Sequence, residues 1–187
     1  AQATVITPVF STLSFEVTFV ADGEIYRTGN YEYGTVITAP DAPKKEGYSF
    51  IGWSLDGIGT LGNLGTVPVG GVVFKAIFNI NNYSISYYVY NPQTQKNEKV
   101  KTGSGEYGSV IDAQLDYEVP AGYTLSQAYT DRACTVLLNE GATVPARSVE
   151  LYYKLIPEVY NAIFDANGGL FSDGTEIKTV PTAFDTE

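Results

Sequence analysis

The sequence predicts a mainly β protein, and three observations support this class. From Phe15 the residues Phe-Glu-Val-Thr-Phe-Val alternate, so that Phe15, Val17 and Phe19 share one face of a half-buried strand. The dipeptide Asp22-Gly23 follows, which is typical of a tight hairpin turn. Tyrosine occurs 15 times, and its ring suits a strand that is half in contact with water.

Further strands follow in order. Residues 24–27 return from the turn, and residues 35–37 continue as an extended or short helical path. Pro40 and Pro43 exclude a regular helix in the next segment. Residues 48–53 predict a strand with Tyr48 and Phe50 on one face, and alternating residues 73–78 close the unit near residue 79.

Three landmarks recur downstream at nearly constant spacing. Tyr33 returns as Tyr107 after 74 residues, Tyr48 as Tyr123 after 75, and Thr66-Val67-Pro68 as residues 143–145 after 77. We align the closing strand at residues 149–153 with residues 73–77. Spacings that differ by so little indicate a duplication with small loop insertions.

The repeat divides the 187 residues into four parts. Residues 1–14 are the end of a preceding repeat or a connector, with Val5 and Ile6 confined to a sheet edge by Pro8. Repeat modules occupy residues 15–80 and 81–157, and residues 158–187 are the truncated start of a third. We therefore expect a piece of a longer protein, with a tail that is partly ordered at best or docks on the second module.

Small modules need nearly every large side chain in the core, because a unit of about 70 residues buries only about 60% of its unfolded surface. The predicted structural core is Phe19, Tyr48, Phe50, Trp53, Tyr87 and Tyr123. Ala128 stands where the second copy would have the counterpart of Trp53. We expect Leu125, Tyr129 or Leu137 to fill that space, and Cys134 to be a buried structural thiol.

Composition excludes several functions. The chain has no histidine, so Ser-His-Asp and Cys-His catalytic arrangements cannot form. A net charge of −10 argues against nucleic acid, and no apolar run approaches the roughly 18 residues of a membrane span. The acid pairs Asp112 with Asp116 and Asp165 with Asp173 are as well explained by surface turns as by catalysis. We predict no enzyme activity and no cofactor.

One stretch resembles a calcium loop, with Asp165, Asn167 and Glu176 at positions 1, 3 and 12. Positions 5 and 6 are Gly169 and Leu170, where such a loop needs an oxygen ligand and then a glycine. The stretch also aligns with the Asp22-Gly23 turn, so we interpret it as a hairpin and predict no metal site.

Exposed tyrosines offer a candidate binding surface. Aromatic rings stack on sugars, and the candidate rings are Tyr26, Tyr31, Tyr33 and Tyr107, together with Trp53. The alternative is that these rings belong to the cores of the two modules. The sequence leaves both interpretations open.

The first module resembles a known family. Its opening Phe-Glu-Val-Thr-Phe, residues 36–53 (VITAPDAPKKEGYSFIGW) and the closing Phe-Lys-Ala-Ile-Phe are similar to the Listeria–Bacteroides repeat, also called the internalin B-repeat. The resemblance covers residues 15–79 well, 83–155 loosely and 160–187 as a fragment. It implies small β-grasp-like units, an α+β variant of the mainly β class, in an extended tandem arrangement.

The resemblance also implies a function. Such repeats belong to bacterial cell-surface or secreted proteins, here wall-anchored through parts outside this sequence, and act as a non-catalytic spacer, stalk or adhesion module. The implied partners are a host or cell-wall protein or a glycan, with the chain as a monomer and no membrane insertion. The alternative function is a carbohydrate- or protein-binding module that uses the exposed tyrosines. Short linkers at residues 79–82 and 156–159 are expected to limit bending.

Overall fold

A computed structural model describes residues 3, 7–60 and 62–184 of the chain. The chain divides into two compact units, the first unit at residues 1–81 and the second at residues 82–187. Every regular element of the described residues is a β-strand, so the mainly β prediction is confirmed and no helical part is found there. Val5 and Ile6, predicted to belong to a preceding strand, lie outside the described residues.

The first unit is one mixed four-stranded sheet. Its strands are β1 (Ser14–Ala21), β2 (Glu24–Glu32), β3 (Tyr48–Ser54) and β4 (Val72–Ile80). Their order is β2-β1-β4-β3, with β1 and β4 parallel and the other pairs antiparallel. Residues 35–37 are extended, and Val36 bridges Thr66. The β-grasp-like description of this unit stays a prediction.

The first hairpin follows from its turn residues. Asp22 and Gly23 have φ angles of 53° and 86°, the left-handed values that a two-residue turn between twisted strands requires. The pairing of β1 with β2 shifts between Phe19 and Val20, which leaves Tyr26 without a direct partner on β1. The ring of Tyr26 lies 5.9 Å from the ring of Trp53.

The second unit repeats the sheet of the first. Its strands are β5 (Asn82–Asn91), β6 (Lys96–Glu106), β7 (Tyr123–Leu125) and β8 (Val149–Pro157), in the order β6-β5-β8-β7. The pairing of β5 with β6 shifts between Tyr87 and Tyr88, at the place equivalent to the bulge of the first unit. Val67 and Val144, which belong to one of the recurring landmarks, are each only 1% exposed. This landmark therefore occupies an equivalent buried place in the two units.

The tail forms a hairpin within the second unit. Its strands are β9 (Val159–Asp165) and β10 (Ile177–Ala183). Phe184 packs edge-on against Tyr123 with ring centroids 5.3 Å apart, and its backbone N–H donates to the Glu158 carbonyl at 2.8 Å. The tail therefore docks on this unit. Single residues, Asn81 and Glu158, separate the strands at the two predicted linkers, which are shorter than the sequence indicated.

The core of the first unit is aromatic. Phe19 and Trp53 are each 3% exposed, with ring centroids 4.8 Å apart, and Phe50 is half-buried 5.4 Å from Trp53. Tyr48, which we predicted in the core, lies outside this cluster and is half-buried. It begins the edge strand β3, where the Lys45 ammonium lies 4.6 Å from the centre of its ring.

The second unit has Ala128 where the first has Trp53, and the residue that fills the space is not one that the sequence indicated. Val72 pairs with Val17 and Val149 pairs with Ile85, so Val149 corresponds to Val72 and our alignment with residue 73 was wrong by one position. Ala76, which pairs with Trp53, therefore corresponds to Tyr153.

Tyr153 fills the space of the missing indole. It is 2% exposed in the same cluster as Ala128, whereas Leu137 is 49% exposed and Tyr129 lies outside the cluster. Leu125 flanks the cluster while partly buried. The first unit thus has a large residue, Trp53, on β3 and a small one, Ala76, on β4, whereas the second has the small Ala128 after β7 and the large Tyr153 on β8.

Tyr153 also provides a prediction about alkaline pH. Its hydroxyl donates to the Ala113 carbonyl at 2.7 Å, and burial raises the pKa of Tyr153 to about 12. The ordinary pKa of a tyrosine, which applies to the unfolded chain, is 10. Because the folded-state pKa is higher, the stabilisation is complete below pH 10 and is lost as the pH rises toward 12. At pH 8, Tyr153→Phe should lower the free energy of unfolding by about 1 kcal/mol, because a buried hydrogen bond is lost.

Above pH 10 this deficit should shrink and reverse, because phenylalanine does not ionise in the unfolded chain. Denaturant unfolding followed by circular dichroism across pH 8 to 12 measures the crossing. A deficit that stays constant across this range would contradict the assignment of a buried neutral phenol.

Candidate functional site

The tyrosines predicted as a surface of the first unit lie in three different environments. Tyr33 is 62% exposed and meets Phe15 edge-on at 6.4 Å. Tyr26 is 43% exposed with its ring 5.9 Å from Trp53, and Tyr31 is half-buried against the core. Trp53 is buried, so it cannot stack on a sugar and does not belong to this surface. Only Tyr33 presents most of its side chain to solvent.

The second unit does not repeat this set of tyrosines. Tyr107 is half-buried in the turn after β6 and corresponds to Tyr33. At the bulge of the second unit the unpaired residue is Val100, which therefore takes the place of Tyr26. Gly105, which pairs with Tyr83, takes the place of Tyr31, which pairs with Phe15. A surface built from these rings is therefore a property of the first unit alone.

The candidate carboxylates mostly organise turns. Asp165 accepts the backbone N–H of Asn167 at 2.8 Å, and Asp173 accepts that of Thr175 at 3.2 Å. Asp112 and Asp116 line one open cavity of about 500 Å³. Asn167 has a φ of 50°, as expected for a residue in a turn. Within the described residues, no group of three or more His, Cys, Asp or Glu side chains is placed to hold a metal ion.

A polar cleft on the second unit was not predicted from the sequence. Tyr88 of β5 and Tyr152 of β8 pair directly and stack, with centroids 5.1 Å apart and ring planes at 17°. The two oxygens of the Glu150 carboxylate accept hydrogen bonds from these phenols, at 3.3 Å from Tyr88 and 2.6 Å from Tyr152. The bond to Glu150 raises the pKa of Tyr152 to about 12.

Two cavities along this cleft share lining residues. One of about 730 Å³ is lined by residues that include Arg132, Arg147 and Glu150, and one of about 280 Å³ is lined by Tyr88, Asn97, Arg132, Glu150 and Tyr152. Arg132, Glu150 and Tyr152 line both. The sequence signal for this cleft is the alternation of Tyr88, Glu150 and Tyr152 with the core residues of β5 and β8.

A tight turn holds Arg132 in place. The Asp131 carboxylate accepts the N–H groups of Thr135 at 2.9 Å and Val136 at 2.6 Å, which lowers the pKa of Asp131. Cys134 lies in the same turn with a φ of 52° and is 7% exposed. Burial raises the pKa of this thiol, in keeping with the predicted structural role.

Comparison with known proteins identifies the repeat. The Listeria–Bacteroides repeat domain matches residues 15–66, so the first unit carries a repeat of this family and the resemblance seen in the sequence is confirmed there. The match begins in β1 and ends just before the buried Val67.

Two relatives come from Evansella cellulosilytica. One, named "Putative Gly-rich membrane protein", is 30% identical over 82% of this chain, and the other, named "Putative membrane protein", is 28% identical over 83%. The chain spans 17% and 23% of the length of these relatives. No helix of the described residues combines the length and apolar character needed to cross a membrane.

Proposed function

We propose that this chain is a non-catalytic tandem repeat region of a bacterial surface protein, and that it acts as a spacer. The observation that supports this function most strongly is that a single residue, Asn81, separates two complete sheets of the same order. Each sheet has its own hydrophobic cluster. Repeats of this kind add length to a protein without needing a catalytic site.

Two further features support the proposal. The single residue Asn81 leaves few free backbone dihedrals between the last strand of the first unit and the first strand of the second. The membrane-protein names of the relatives are in keeping with a place at the cell surface, where a spacer holds other domains away from the wall. The net charge of −10 keeps such a region soluble.

Small-angle scattering tests the spacer function. A compact globule of this length has a radius of gyration of about 16 Å. The full chain should exceed that value clearly, with a distance distribution that has a long tail. As a matched control, a flexible Gly-Ser insertion after Asn81 should broaden the distribution further. A radius near that of a single globule would argue against a spacer.

An adhesive role is the second candidate, and the exposure of Tyr33 favours it. In this function the chain binds a host or cell-wall protein or a glycan through the first unit. A Tyr33→Ser variant separates the two functions, because it removes retention on a glycan array only if Tyr33 contacts the ligand. Its melting temperature serves as the control for folding.

A further inference from the structure

We propose that the cleft of the second unit, defined by Tyr88, Asn97, Arg132, Arg147, Glu150 and Tyr152, binds a saccharide that carries a carboxylate. This inference goes beyond the spacer function and does not depend on it. The site also differs from the tyrosines of the first unit.

Among the described residues, the cleft contains two arginines that are free to bind an anion. The chain has 21 acidic residues and only three arginines, yet two of these arginines line this one cleft. Neither Arg132 nor Arg147 forms an ion pair within the described part of the chain. A guanidinium binds a carboxylate through two parallel hydrogen bonds, so these unpaired groups suit an anionic ligand.

The aromatic wall carries the second step. Tyr88 and Tyr152 stack at 5.1 Å, and Glu150 bridges their hydroxyls. Because its oxygens already accept hydrogen bonds from two phenols, the Glu150 carboxylate repels an anion less than a free carboxylate would. Tyr152 is only 7% exposed, so it supports the wall from behind, and the half-buried Tyr88 is the ring that meets the ligand. A flat ring with polar groups at its rim suits the apolar face and the hydroxyls of a pyranose.

Asn97 provides the third step. Its side-chain Oδ1 is buried and has no hydrogen-bond partner among the described residues, while its Nδ2 donates to the Arg132 carbonyl at 3.5 Å. A buried acceptor without a donor costs free energy, and rotation of the amide toward the cavity that Asn97 lines would let a ligand hydroxyl satisfy it. The cleft thus holds cations, an aromatic wall and an unused acceptor.

Comparison of the two sheets shows that the fold does not need this cleft. The pair Tyr88 and Tyr152 corresponds by register to Val20 and Lys75 in the first unit. Glu150, which pairs with Ser86, corresponds likewise to Val73, which pairs with Thr18. The same sheet therefore forms without these side chains, so their placement is not explained by folding alone.

The experiment is an NMR titration of the full chain with oligosaccharides of galacturonate, glucuronate and N-acetylneuraminate, each paired with its methyl ester. At least one acidic oligosaccharide should shift the amides of Tyr88, Arg132 and Tyr152. The matching ester should bind at least about tenfold more weakly, because the charged hydrogen bonds are lost. Raising the salt concentration should weaken binding of the acid but not of the ester.

Three variants complete the design. Arg132→Gln should weaken binding at least about tenfold. Tyr88→Val, which copies the residue of the first unit, should remove binding while the spectrum stays folded. Lys75→Gln changes a cation of the first unit at the position equivalent to Tyr152 and should leave binding unchanged. The proposal is overturned if no acidic oligosaccharide shifts these amides at millimolar concentration, if the esters bind equally well, or if folded Arg132→Gln and Tyr88→Val retain full affinity.

Discussion

Replacing Trp53 with alanine should lower the free energy of unfolding of the first unit by about 3–5 kcal/mol, the usual range for a buried Trp-to-Ala change. The indole is 3% exposed and contacts the rings of Phe19, Phe50 and Tyr26. A unit this small has little stability to spare, so most of it should unfold. Hydrogen exchange of peptides from β1 and β4 measures the loss.

The second unit suggests how to repair that variant. Adding Ala76→Tyr to Trp53→Ala copies the pair Ala128 and Tyr153, and the double variant should recover at least about 1 kcal/mol. Ala76→Tyr alone should destabilise by about 1–3 kcal/mol, because the indole already fills the space. If the effects of the two single changes simply add in the double variant, the size exchange between strands does not explain the second core.

Gly71→Ala should be the most damaging glycine change in the first unit, at about 2–4 kcal/mol. Gly71 has a φ of 80°, and a Cβ at this position would lie 2.4 Å from the Glu16 carbonyl oxygen. Since that oxygen belongs to the backbone of β1, it cannot move aside as a side chain would. The loop before β4 must therefore shift away from β1.

Gly70 is the matched control. Its φ is 88°, but a Cβ there would meet nothing within 4 Å, so Gly70→Ala should cost only about 1 kcal/mol of left-handed strain. Trp53 is the sole tryptophan, so its fluorescence in a denaturant titration reports on the first unit alone. Equal losses for the two variants would show that the contact with Glu16 is unimportant.

Local signals in the sequence were sufficient for much of the fold. The Asp22-Gly23 turn was predictable because both of its central residues have positive φ angles, and few residue types other than Gly, Asn and Asp accept such angles. Phe19 and Trp53 were predictable core residues because a small module needs its large rings inside. Tyr48 was misjudged because alternation assigns a face of a strand but does not show where a sheet ends.

The features that were missed depend on how strands pair. Tyr153 fills the second core because of the register between β5 and β8. The spacing of the landmarks in the sequence placed this strand one residue away from that register. The cleft brings Tyr88 next to Tyr152 through the same parallel pairing, although 64 residues separate them in the chain. The first unit has Val20, Lys75 and Val73 at the equivalent positions, so the repeat pattern gives no signal for the cleft.

Hydrogen exchange of the full chain carrying Trp53→Ala tests most directly whether each unit is stabilised by its own core. We expect amides of β1 and β4 in the first unit to lose protection, while those of β5 and β8 in the second unit keep the protection of the unaltered chain. Loss of protection in both sheets together would show a single cooperative core and would contradict the assignment of two separately stabilised repeats.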